Sequence, residues 1–262
     1  MKSKIKPLES FERNLESVQK LMNFDRDVQD MAIIHIEELH NNLVIGQKIA
    51  NEQINGKRTL DMLKGIREND SLRPRYKIIF NQAVVLLVSY FGSAISDCFR
   101  LATQIAVESR DNRVLDEELN LEIKELISRG DQIGDGLGDL LIQKKDISFQ
   151  DMKSTHRAFK KYFGIEIDKN EIVNNIILGQ ACRHCIVHEG GTVNRRIIKQ
   201  IENAKPRSLK PRMAESEQLD FTTEEVEELG GYMKDYVSNL QTRITVYNKS
   251  LNQIGANNAP PG

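Results

Sequence analysis

Apolar residues recur along this chain at spacings of three and four, and alternation at two is scarce, so the pattern predicts helices and almost no strand. From Asp25 to Ile54, Val28, Met31, Ile33 or Ile34, Leu39, Leu43 and Ile49 mark a long amphipathic helix that Gly46 weakens without ending. Asn55-Gly56 is a stop signal, and a short helix follows through Arg67. Arg73-Pro74 punctuates the chain ahead of an apolar helix from about Arg75 to Val107. Leu115, Leu119, Leu121, Ile123, Leu126 and Ile127 mark another helix. The glycine-rich interval Gly130 to Gly138 lacks a Gly-Lys-Ser/Thr ending and any preceding strand, so a flexible connection is preferred to a phosphate-cradling loop.

The second half of the chain is punctuated more sharply. Phe149 to Phe163 forms a basic amphipathic helix broken at Gly164, and Asp168 or Asn170 can cap the next one. That next helix runs from Glu171 to about His188 and ends on Gly190-Gly191. Val193 to Ile201 is a short helix, and the two Lys-Pro-Arg triplets at 205–207 and 210–212 make an extended basic connector. Thr222-Thr223-Glu224-Glu225 fits a capping box for a last helix that turns Val226, Leu229, Met233, Val237 and Leu240 inward. The expected organisation is all-α: a helical extension over 1–70, a helical bundle over 71–250 and a disordered tail over 251–262, where two asparagines and Pro260-Pro261 cluster.

The helix at Glu171 to His188 is too polar for its surroundings. Val173, Ile177, Ala181 and Cys185 follow at fours, while Ile176, Leu178, Cys182, Ile186 and Val187 cover most of the remaining circumference. Such a helix is buried, yet its last turns carry Arg183, His184 and His188. Buried cations are costly unless paired, so these positions are poor filler. The bland alternative has Arg183 snorkelling to solvent while the histidines bond to nearby carbonyls. The Cys182/Cys185 and His184/His188 spacings would each bring two metal ligands together. The two pairs point in different directions, however, and no glutamate stands inside the histidine pair, so a metal-free site is preferred.

Composition narrows the setting. The formal charge is −1, so a polyanion must be met by a local patch. Arg195 to Arg212 is such a patch, with seven Lys/Arg against Glu202 alone, and is either a phosphate-binding surface or a solvated linker. Three cysteines, an odd number, suggest a reducing cytoplasm rather than a disulfide framework. The basic start Met1 to Pro7 has no apolar run behind it, so no signal peptide is expected. Ile78 to Ser96 is uncharged over a span-like length but carries Asn81, Gln82, Ser89, Ser93 and Ser96, and a buried bundle helix is the preferred reading over a membrane span.

Arg183, four intervening residues and His188 match the Arg-x4-6-His motif of the HEPN domains, with the polar His184 directly after the arginine. Glu189-Gly190-Gly191-Thr192-Val193 resembles the continuation seen in prokaryotic defence and toxin members, and the long apolar helix upstream fits. The resemblance spans roughly Arg73 to Leu240 as architecture, with its motif in Arg183 to Val193. It implies a HEPN-like bundle that dimerises, bringing two motifs into one cleft, and metal-independent RNA cleavage without a cofactor. In that chemistry His188 moves protons, Arg183 stabilises the phosphate, His184 positions, and Arg195, Arg196 and Lys199 bind substrate. Products would end in 2′,3′-cyclic phosphate, and the setting would be a toxin or anti-phage effector with a regulatory or antitoxin partner. In many relatives an acid on the long apolar helix faces the motif; that place falls near Gly92, and Asp97 is the nearest acid. The alternative is a non-catalytic HEPN module that binds a nucleotide or docks a partner through the Asp25 to Ile54 helix.

Overall fold

A computed structural model describes residues 6–50, 56–69, 78–129 and 136–257. Among them the chain is all-α, with one isolated antiparallel bridge between Thr192 and Gln218. The organising element is α3, Ile78–Glu108, which is apolar on nearly every face and buries thirteen side chains from Phe80 to Ala106. By length and composition α3 could cross a membrane; here it is the central helix of the bundle. Around it pack the start of α1 (Pro7–Ala50), α8 (Glu171–His188) and α10 (Thr223–Asn257).

The first helix begins earlier than its apolar period suggested. Pro7 suits a first helical turn, where no N–H is needed. Phe11, Val18 and Met22 then enter the same core as α3, with Leu15 packed beside them. The expected extension over 1–70 is therefore divided. Its start is core, while the later part of α1 pairs with α2 (Gly56–Glu68) through Arg67–Asp30 and Lys64–Glu37 ion pairs.

Three further expectations are corrected. The helix expected from Leu115 to Ile127 is two: α4 (Asn112–Leu115), capped by Asp111, and α5 (Ile123–Arg129). Glu117, between them, is held by Lys145 at 2.9 Å and by Lys161, which fixes the interruption and holds its carboxyl below the usual range. Residues 130–135 of the glycine-rich interval lie outside the described residues, but Leu137 and Gly138 open α6 (Leu137–Lys144). Gly138 lies so close to α3 that a Cβ would stand 2.9 Å from Arg100 Cα. The tail expected from residue 251 is helical as far as Asn257. The helix persists because Ile244 and Tyr247 are buried, Leu251 packs on the core, and Tyr247 donates to Asp111 at 2.6 Å; residues 258–262 lie outside the described residues.

The α7 helix (Met152–Phe163) starts after Phe149, because Asp151 accepts from the Ser154 N–H at 2.7 Å and ends the preceding turn. Phe149 itself turns inward, where Phe99 meets Phe149, Phe159, Tyr162 and Phe163 at centroid separations of 5.1 to 5.8 Å. Each such pair adds about 1 kcal/mol beyond burial, so this cluster locks α7 onto α3. The capping box of α10 forms as the pattern predicted: Thr222 Oγ1 accepts from Glu225 N–H, and Glu225 accepts from Thr222 N–H.

Candidate functional site

Asn170 caps α8, its side chain accepting from Val173 N–H at 3.0 Å, and the helix then enters the core between α3, α10 and α9 (Arg195–Ile201). Gly179 permits the approach to α10; a Cβ there would meet Leu229 at 3.0 Å. Val173, Ile176, Leu178, Ala181, Cys182 and Cys185 are buried, as the all-round apolar pattern requires. Three buried amides interrupt it. Asn174 donates to Pro206 O, Asn175 accepts from Leu209 N–H, and Gln180 accepts from Met152 N–H. They fasten the basic connector and the start of α7 to the helix.

The end of α8 is fixed by a turn that needs both glycines. Gly190 and Gly191 have φ of 60° and 82°, in the left-handed region. Both Glu189 N–H and Gly191 N–H donate to Cys185 O, and the Cys185 thiol donates to Thr192 O. Residues 191–193 then pair with 216–219 across the Thr192–Gln218 bridge. Gln218 Nε2 donates to Gly190 O at 3.0 Å and sits where a Gly191 Cβ would be, 2.7 Å away. Glycine at 191 is thus favoured by φ, and any side chain there would also displace the Gln218 amide.

On this fixed end His184 and His188 stand four residues apart with ring centroids 4.7 Å apart. His184 is half-buried and His188 is exposed. Burial lowers the pKa of His184 first, followed by the positive charges of Arg196 and His188. The imidazole of His184 is therefore held toward its neutral form. Arg183 is half-buried, and its Nε is shut away from solvent with no hydrogen-bond partner. Around a helix of 3.6 residues per turn, the two histidines differ in bearing by ~40°, whereas Arg183 and His188 differ by ~140°. The three residues thus share one helix end but occupy two faces of it.

The counter-charge sought on α3 is engaged elsewhere. Asp97 receives Arg100 at 2.6 Å, and Arg100 also holds Asp139 at 2.7 Å. Gly92 faces the Phe149 carbonyl, which a Cβ would meet at 3.6 Å. Arg183 therefore has no carboxylate partner among the described residues. The two cysteines of the α8 ending are fully buried, and burial pushes the Cys182 thiol up to about 12. Among the described residues no three His, Cys, Asp or Glu side chains gather as a metal site.

The short helix α9 begins at Arg195 rather than Val193, because Asn194 caps it, accepting from Ile197 N–H at 3.1 Å, and Val193 belongs to the bridge. Ile197 and Ile201 anchor it, leaving Arg195, Arg196 and Lys199 exposed. They do not act as one patch. Arg196 lies close enough to act on His184, while Arg195 and Lys199 line a separate cleft against the connector.

Two of the seven basic residues counted in that stretch are structural. Arg207 donates to the carbonyls of Ile201, Ala204 and Lys210. Lys210 reaches Asp220 O and both oxygens of Glu225, the capping-box glutamate, and lies 4.5 Å over the Phe221 ring. Gln218, Asn174 and Asn175 were the residues that sequence reasoning passed over. The signal was present: an Asn-Asn pair in a helix apolar on all sides must find buried partners.

Comparison with known families, characterised proteins and solved structures finds no match to the chain. The structure defines its class as an all-α bundle with a polar helix ending.

Proposed function

We propose that the chain is a metal-independent endoribonuclease of HEPN type, acting as a toxin or anti-phage effector. The observation that carries the reading is an exposed imidazole, His188, packed beside a second imidazole at a fixed helix end, with an arginine that has no carboxylate partner among the described residues on another face of the same end. RNA brings its own nucleophile. The 2′-oxygen attacks the adjacent phosphorus, the P–O5′ bond breaks, and a 2′,3′-cyclic phosphate and a 5′-hydroxyl result. One proton leaves the 2′-hydroxyl and one reaches O5′, and an imidazole can take or give either. Arg183, without a carboxylate to neutralise it, offers its charge to the phosphorane. The wide angle between Arg183 and His188 favours a site completed by a second copy, in which one chain's arginine faces its partner's histidine.

The test is cleavage of a defined single-stranded RNA in the presence of a metal chelator. Wild type is expected to leave 2′,3′-cyclic phosphate ends, and His188→Ala to cut at least ~100-fold more slowly with unchanged thermal stability. Equal cutting by the two, or none by either as an isolated dimer, would sink the nuclease reading.

One observation favours a second reading, a non-catalytic module that docks a partner. Leu21, Phe24, Val28 and Met31 follow a three-four-three spacing along the outer face of α1 and are 39% to 63% exposed. A partner lost on Phe24→Asp but kept on Arg183→Ala would support that reading.

A further inference from the structure

The basic connector and α9 enclose a cleft of about 670 Å³ whose lining does not include Arg183, His184 or His188. Arg195 and Lys199 of α9 and Lys205 and Arg212 of the connector line it, and the half-buried Ile198 and Met213 add apolar surface. Lys199, Lys205 and Arg212 have no carboxylate partner among the described residues, whereas Arg195 leans on Glu215 at 3.0 Å through a largely solvated pair. The walls are built rather than loose. Arg207 ties the connector to the end of α9 through three carbonyls, and Asn174 and Asn175 of α8 hold Pro206 O and Leu209 N–H.

We infer that this cleft carries the sugar–phosphate backbone of single-stranded RNA past α9 toward the histidine edge. The inference rests on RNA being the substrate of the α8 site. Cations without carboxylate partners on both α9 and the connector suit consecutive phosphates, and the apolar lining suits a ribose or a base face that a duplex would keep hidden. An acidic protein segment would find the cations equally but would gain less from the apolar lining, while Glu202 and Glu215, which also line the cleft, oppose either anion alike. Arg196, next to Arg195 in sequence, acts on His184, so α9 presents cations both to the cleft and to the helix end.

The experiment measures anisotropy of a labelled 2′-O-methyl single strand, which binds but cannot be cut, across a salt series with the full chain. Lys205→Glu with Arg212→Glu is expected to weaken binding at least tenfold and to lower the salt slope by roughly 1.4, the contribution of two phosphate contacts to a single strand. Lys169→Glu with Lys249→Glu, the same change in net charge at other exposed sites, is expected to leave affinity within about twofold. Unchanged binding by the cleft variant, or equally tight binding of a duplex RNA through the same residues, would overturn the inference even if His188-dependent cutting is observed. If His188→Ala cuts as well as wild type while the cleft variant loses the strand, the nuclease reading falls and the cleft stands.

Discussion

The buried stretch of α8 and its last turns both carry polar residues that a helix so apolar disfavours, and they treat them in opposite ways. Asn174 and Asn175 each have a backbone partner on another element, and Gln180 has one at Oε1 while its Nε2 is buried without any. Among the described residues Arg183, His184 and His188 have no hydrogen bond or ion pair to another element, and Arg183 Nε is shut away without any. Satisfied buried polar groups specify a fold, because an alternative packing would leave them bare. Unsatisfied ones at a fixed surface cost stability and are kept for something else. The contrast assigns Asn174 and Asn175 to structure and the cation and imidazoles to function, and it can be broken at either end.

The largest effect on stability is expected at Asn175. Its side chain is fully buried between Leu209 N–H and Glu171 O. Asn175→Ala strands that N–H and leaves a small void, at a combined cost of about 2–3 kcal/mol. A denaturant titration should show the midpoint falling accordingly. Because the same residue holds the connector, strand binding in the cleft should fall with it. A variant as stable as wild type would remove the structural half of the contrast.

The opposite sign is expected at Arg183. Arg183→Met keeps the aliphatic stem and removes a guanidinium that has no carboxylate to lose. Stability should stay within about 1 kcal/mol of wild type, on the stable side, while RNA cutting falls ~100-fold or more. If Arg183→Met unfolds the chain as Asn175→Ala does, the arginine is structural and the assignment is wrong.

The sequence made some of this plain and hid the rest for physical reasons. The α8 boundaries, the capping box at Thr222 and the all-α class were legible because caps and a 3.6-residue period are local signals. The split of α4 from α5 was not, since it depends on Glu117 meeting Lys145 and Lys161 from distant parts of the chain. The helical run through Gly255 was missed because a glycine weakens a helix without ending one that tertiary contacts hold. At the site, the sequence brought Arg183, His184 and His188 to one helix end and counted Arg195, Arg196 and Lys199 together. It could not tell that Arg196 turns to the histidines and Lys199 to the cleft, or that Arg207 and Lys210 serve the backbone and a cap. Those assignments depend on where the connector folds back, which no local spacing encodes.

The smallest effect, and the finest test of the contrast, concerns Arg196 and His184. The folded chain holds His184 below its ordinary value of 6.5, first through burial and then through Arg196 and His188, against the opposite pull of Glu189. Between the folded and ordinary values the unfolded chain therefore binds more protons than the folded one. His184's contribution to stability is full above the ordinary value and declines as pH falls through it. Arg196→Gln removes the largest charge acting on the ring but not its burial, so the His184 midpoint should move part of the way up, read from the ring-proton NMR titration. The acid-side loss of stability should shrink with it, and His184→Gln should abolish that component whether or not Arg196 is present. A midpoint indifferent to Arg196→Gln would place the arginine away from the imidazoles, and α9 would then have no role at the α8 ending.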